Sequence, residues 1–294
     1  MRDALIRLFE LADHPLAFAA GLSPLPAPAG MRLWQVAATT RAGEPVRGFW
    51  CRPDSDAAVP AVLVIHAHGN RYDIGADELM QGRPALAGPP GPALAALGIA
   101  TLCLDLPCFG TRQQPGESAR AKAALWRGRS LAGQMLGESR AALDWLAARP
   151  DVAADRIGVF GISMGCTLGY WLAAVEERVR ALVQECCLAD FGALIASSAH
   201  DRHGLYLTIP GLVERASNGR IAGMIAPRAQ FIGLGDLDAL TPPAAADIAL
   251  AEVRAAYARA GGRLVVHREP DSGHQETPGM RKAALEFLRD ALTG

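Results

Sequence analysis

Hydrophobic and polar positions along this chain change period repeatedly, and the changes set out an alternation of strands and helices. Ala61–His66 is a continuous apolar run, Ala-Val-Leu-Val-Ile, ending at a histidine. A run of that kind is expected of a strand buried on both faces of a parallel sheet. Ile99–Asp105, Ile157–Phe160, Val179–Cys186, Ala229–Leu234 and Leu264–Arg268 read the same way, and Arg32–Thr39 and Val46–Cys51 read as strands ahead of them. Between them the spacing turns helical: a short helix near Ala93–Leu97, residues 117–148 in two pieces, a helix from the residues after Phe160 to about Glu176, an irregular helical stretch over 190–225, a helix at Ala244–Ala260 and a last one at Met280–Leu292. Strands alternating with helices imply right-handed crossovers and a mostly parallel sheet covered by helices on both faces.

The amino end differs from this pattern. Leu5, Leu8, Phe9 and Leu11 recur at helical spacing, and residues 1–22 read as helix. Ser23-Pro24-Leu25-Pro26-Ala27-Pro28 reads as a stiff linker, because closely spaced prolines exclude helix. The expected organisation is therefore a helix and proline-rich linker over 1–30, followed by one α/β domain over 31–294. A Gly/Pro-rich loop spans about Ala67 to Pro92.

Composition narrows the function classes. Of 294 residues half are hydrophobic and a fifth charged, which suits a large folded core. Basic and acidic residues number 29 and 30, for a net charge of −1, so no electrostatic footprint for nucleic acid stands out. No apolar run is long enough for a membrane span, and Arg7, Glu10 and Asp13 interrupt what would be the apolar core of a signal peptide. Six cysteines (51, 103, 108, 166, 186 and 187) form no CxxC pair, and several lie in apolar runs, which points to free thiols in a reducing compartment, the cytoplasm. No cofactor motif is evident, and a homo-oligomer remains open.

The chemistry concentrates in three places. Gly161-Ile162-Ser163-Met164-Gly165 is a G-x-S-x-G match between a β-rich run and a helix-forming run. A strand–turn–helix there would hold Ser163 in a strained turn with its hydroxyl projecting, and the helix N-terminus would offer backbone N–H groups to a developing oxyanion. Serine is a weak nucleophile and needs a base. Of the seven histidines, His274 is best placed, in the polar turn Asp271-Ser272-Gly273-His274 after the last strand. The base needs a carboxylate to fix its tautomer. Gly235-Asp236-Leu237-Asp238 follows the preceding strand and offers two, between which spacing does not decide.

Ser163, Asp238 and His274 occur in the chain order of the α/β-hydrolase superfamily, which residues 32–292 resemble. The resemblance implies an α/β-hydrolase fold, a mostly parallel twisted sheet of about eight strands with helices on both faces. In that family a Gly-x-x-Asp commonly carries the acid; this implies Asp238, with Asp236 as the alternative. His66-Ala67-His68-Gly69-Asn70, Asp105-Leu106-Pro107-Cys108-Phe109-Gly110 and Ile225-Ala226-Pro227-Arg228 resemble the dienelactone hydrolase and acetyl xylan esterase-like branch. Dienelactone hydrolases proper use a cysteine nucleophile; Ser163 in its place favours ordinary esters.

The expected activity is hydrolysis of small-molecule esters with a small or medium acyl group, through an acyl-enzyme. Met164 and His68 would donate the oxyanion N–H groups, with Asn70 the alternative to His68. His66-x-His68 also invites a metal reading, but Asn70 and Arg71 stand where further ligands are needed, so no metal is assigned. A serine peptidase or amidase of the prolyl oligopeptidase type, and a non-catalytic hydrolase-fold binding protein, are the alternatives.

Overall fold

A computed structural model describes residues 1–294. Ten strands form one sheet: β1 (Leu16–Phe18), β2 (Ser23–Leu25), β3 (Met31–Thr40), β4 (Pro45–Pro53), β5 (Val59–Ile65), β6 (Ala100–Leu104), β7 (Val152–Ile162), β8 (Val179–Glu185), β9 (Ala229–Gly235) and β10 (Leu264–Glu269). The order is β1-β3-β4-β6-β5-β7-β8-β9-β10, with β2 also paired to β3. From β6 to β10 every pairing is parallel; β1, β2, β3 and β4 add antiparallel pairings at one side.

The sheet thus has ten strands where the sequence suggests about eight, and the two additions lie in the amino-terminal segment read as helix and linker. The helix there spans only Arg2–Leu8, and β1 and β2 then lie end to end along β3. Pro15 stands at the entry to β1, where a helix could not continue. Pro24 sits inside β2, which pairs on one side only; an edge strand tolerates a residue without an N–H.

Strand β5 shows why the core runs along both faces. Its residues are all buried. Ala61, Leu63 and Ile65 belong to the apolar cluster on one face, Val62 and Val64 to the cluster on the other. Burying a Val, Leu or Ile side chain contributes roughly 1.5–3 kcal/mol, so this strand alone anchors the middle of the sheet. Helices Leu131–Ala147 and Met164–Val175 contribute to the first cluster and helix Pro278–Thr293 to the second. The helix Met164–Val175 is buried along its whole length. Part of its cover is the amino end: Leu5 and Phe9 are enclosed, and the Phe9 ring stacks on Trp171 at 5.5 Å. No helix is long and apolar enough to cross a membrane. All six cysteines are free and buried.

Candidate functional site

The carboxyl ends of β5, β7, β9 and β10 carry the candidate residues. β7 ends at Ile162, the helix begins at Met164, and Ser163 between them has φ +58° and ψ −118°. A non-glycine residue in that region is strained, and its neighbours over-determine it. A Cβ on Gly161 would lie 2.2 Å from the carbonyl of Gly165, and one on Gly165 would lie 1.8 Å from the Ile65 carbonyl oxygen. Both obstacles are backbone, so neither glycine of the motif can carry a side chain without moving a strand or a helix.

His274 lies in the loop between β10 and the helix Pro278–Thr293. Its Nε2 is 2.8 Å from Ser163 Oγ, and its Nδ1 is 2.7 Å from Asp238 Oδ2. The other carboxylate oxygen, Asp238 Oδ1, accepts the N–H groups of Leu240 at 2.8 Å and Thr241 at 3.3 Å. A carboxylate held from behind by two backbone donors faces the imidazole in a fixed orientation. Asp236, the competing aspartate, turns away and pairs with Arg268. The histidine loop is fastened in turn by Glu276. Its N–H donates to the Ala85 carbonyl at 2.8 Å, and its carboxylate accepts the Ala87 N–H at 2.9 Å and faces Arg281 at 2.7 Å. Glu276 has its carboxyl raised above the usual carboxylate range by burial, which the Arg281 charge opposes.

The loop after β5 brings His68 and Asn70 to the same rim. Met164 is the first residue of its helix, so its N–H has no partner in a preceding turn. The His68 N–H makes no hydrogen bond within the protein, whereas the Asn70 N–H is committed to His68 Nδ1 at 3.1 Å. His66 lies beneath, fully buried. Its Nδ1 faces the Ala67 carbonyl at 3.0 Å, and its Nε2 accepts the Leu106 N–H at 3.2 Å. Burial above all pushes its pKa down to about 4, so it stays neutral. With the His68 ring bound to Asn70 and Glu117, all four ring nitrogens of the pair are engaged by protein groups. His267 stacks on Phe231, apart from this constellation. Cys166 is enclosed, and burial holds its thiol well above the ordinary value.

An apolar cavity of about 300 Å³ opens beside the site under residues 191–213. Phe191, Leu194, Leu207, Ile209 and Leu212 form its apolar lining, and Ile195, Leu205 and Val213, three of the large hydrophobic side chains this protein leaves exposed, stand around it. None of Ser163, Asp238 and His274 lines it, but its wall touches the loop that carries Asp238 and the ring of His68. His203 bonds the Leu240 carbonyl at 2.9 Å, in the loop that holds Asp238. Burial above all lowers its pKa, against the opposing effect of that hydrogen bond. Gly204, in the same wall, packs against His68 Nε2. Nothing in the sequence singles out His203 or Glu117: both depend on contacts between segments far apart in the chain.

Comparison with known proteins agrees with this architecture. Residues 140–199 match a family model described as the BAAT / acyl-CoA thioester hydrolase C-terminal domain. The chain is 36% identical over 255 residues to a protein of Bacillus subtilis (strain 168) named "Putative hydrolase YtaP", covering 85% of this chain and 84% of the relative. Among solved structures it is similar to acetyl xylan esterase 1 from Thermoanaerobacterium sp. JW/SL YS485, with a TM-score of 0.68 at 17% identity, covering 98% of this chain and 92% of that one. The acetyl xylan esterase from Paenibacillus sp. R4 gives 0.69 at 19% identity, covering 99% and 93%. At such identities the structural likeness speaks for the fold.

Proposed function

This chain belongs to the α/β-hydrolase superfamily, in the family of the Bacillus hydrolase, and from that premise we propose that it is a serine esterase cleaving carboxylic esters of small or medium acyl groups. One observation carries the reading: a single imidazole, that of His274, spans Asp238 at 2.7 Å and Ser163 at 2.8 Å. The Asp238 carboxylate keeps the proton of the neutral ring on Nδ1, which leaves Nε2 free to accept the Ser163 proton as Oγ attacks the ester carbonyl. The N–H groups of Met164 and His68 stabilise the resulting oxyanion. His274 then protonates the leaving alcohol, and water releases the acyl group by the same route in reverse.

The apolar cavity supports an acyl group of a few carbons, and the structural neighbours named as acetyl xylan esterases favour esters over amides. The thioester hydrolase match spans Ser163 but neither Asp238 nor His274, so it speaks for the nucleophile turn more than for a thioester substrate. The test is Ser163→Ala. The variant should fold as the parent does, lose hydrolysis of p-nitrophenyl acetate and butyrate, and no longer take up a fluorophosphonate label. Turnover equal to the parent's would remove the proposal.

A further inference from the structure

Glu117 opens the helix Glu117–Trp126 and has no part in acyl transfer as described above. Its carboxylate nevertheless gathers three hydrogen bonds from two separate segments, the loop after β5 and the stretch around Tyr206. Oε2 accepts from His68 Nε2 at 2.7 Å and from the Tyr72 hydroxyl at 2.7 Å, and Oε1 accepts the Tyr206 N–H at 3.0 Å. The residue is buried, and its one ion-pair partner is the His68 ring, with no arginine or lysine. Burial raises the carboxyl pKa, but the bonds from His68 and Tyr72 outweigh it and hold the group below its usual value, as a carboxylate.

The tautomer of His68 follows from the same contacts. Nδ1 accepts the Asn70 N–H, so the ring proton resides on Nε2, pointing at Glu117. The Tyr206 ring stacks on the His68 ring at 5.3 Å. A Cβ on Gly204 would lie 2.6 Å from Glu117 Oε1 and 3.0 Å from His68 Nε2, so the backbone of this segment closes directly over the pair. Gly204, Leu205 and Leu207 are also wall residues of the apolar cavity. On the opposite side, Arg83 Nη1 donates to the His68 carbonyl at 2.9 Å. Residue 68, the proposed donor, is thereby held through its side chain on one flank and through the peptide that follows it on the other.

We propose that Glu117 is a positioning residue that sets both the His68 oxyanion donor and the wall of the acyl cavity, so that rate and acyl-chain selection share one buried strut. This rests on the esterase reading.

Full-length Glu117→Ala, Glu117→Gln and Tyr72→Phe variants test it. kcat and KM are measured for p-nitrophenyl acetate and hexanoate, per site titrated with a fluorophosphonate, and the His68 ring is followed by imidazole ¹⁵N NMR. Glu117→Ala should lower kcat on acetate about tenfold with KM within about twofold, because a displaced oxyanion donor weakens the transition state more than the ground state. On hexanoate KM should rise as well, since the cavity wall has lost its tie. Glu117→Gln should fall between, because its amide nitrogen must face one of the three donors. Tyr72→Phe removes one bond and should cost about threefold, which keeps the test open if Glu117→Ala does not fold. The parent's His68 should show the Nε2–H tautomer, and the alanine variant should depart from it. Unchanged kcat per labelled site on both esters, in Glu117→Gln and Tyr72→Phe, would overturn the proposal. A parent that neither takes the label nor cleaves either ester would sink the esterase reading instead, and the imidazole spectra would still report on the strut.

Discussion

Replacing Asp238 by asparagine is the sharpest perturbation this site allows, because the surrounding hydrogen bonds dictate how the new amide must lie. Oδ1 accepts the N–H groups of Leu240 and Thr241, so the amide must leave its oxygen there and turn its NH₂ toward His274. An NH₂ group can only donate to Nδ1. The neutral ring then carries its proton on Nε2, facing Ser163, and can no longer receive one. The volume is unchanged and a buried charge becomes neutral, so the fold should survive. A wrong tautomer at such a site lowers kcat by about 10⁴, or about 5.4 kcal/mol of barrier. The assay is steady-state hydrolysis of p-nitrophenyl butyrate, with Asp236→Asn as control. Asp236 is bonded to a partly exposed Arg268, a pair worth about 1 kcal/mol or less to stability, and its loss should leave kcat within about threefold. A smaller loss in Asp238→Asn than in Asp236→Asn would refute the assignment of the acid.

Gly165→Ala should destabilise the protein by about 3 kcal/mol and remove activity, because a methyl 1.8 Å from the Ile65 carbonyl has no room; a melting curve equal to the parent's would contradict this. Glu44 faces Arg112 and Arg120; burial opposes ionisation, but these partners hold its pKa at about 2 against an ordinary 4.5. Its pairing therefore stabilises the fold fully above about pH 5 and is lost as pH falls toward 2. Because the side chain is partly exposed, the contribution is about 1 kcal/mol after screening, read as a stability gap between parent and Glu44→Gln at pH 7 that closes at low pH; a gap independent of pH would count against it. Across p-nitrophenyl acetate, butyrate and decanoate, kcat/KM should rise from acetate to butyrate by up to about fourfold per buried methylene, whereas a strong preference for decanoate would show that the cavity under residues 191–213 is not the acyl site.

Much of this was legible in the residues themselves. Val62 to Ile65 leave a strand no option but full burial, and the glycines flanking Ser163 announce a turn that excludes side chains. Helix and strand positions from residue 31 onward follow the periodicity to within a few residues, apart from the longer ends on β7 and the helical turns over Gly75–Asp77 and Glu78–Gln81, which lie in the segment read as a loop. The choice between Asp236 and Asp238 was not legible from spacing, since it depends on Arg268 drawing one aspartate away and on two backbone N–H groups holding the other. That the Asn70 N–H, the alternative donor to His68, is bound to the His68 ring is likewise a contact that spacing does not reveal. Residues 1–22 mislead because Leu5, Leu8, Phe9 and Leu11 keep helical spacing past the point where the helix stops. The chain turns out of the helix at Glu10, whose φ is +52° and whose carboxylate accepts the Ser130 N–H at 2.8 Å, while Phe9 stacks on Trp171; no local pattern reveals either partner.

That stacking has a practical side. The first dozen residues form part of the cover over the helix Met164–Val175, with Leu5 and Phe9 enclosed and Phe9 stacked on Trp171. Pulling on the amino end, by a bulky tag or an immobilising tether, would loosen the seat of Ser163 from behind while every group at the catalytic rim stayed chemically intact.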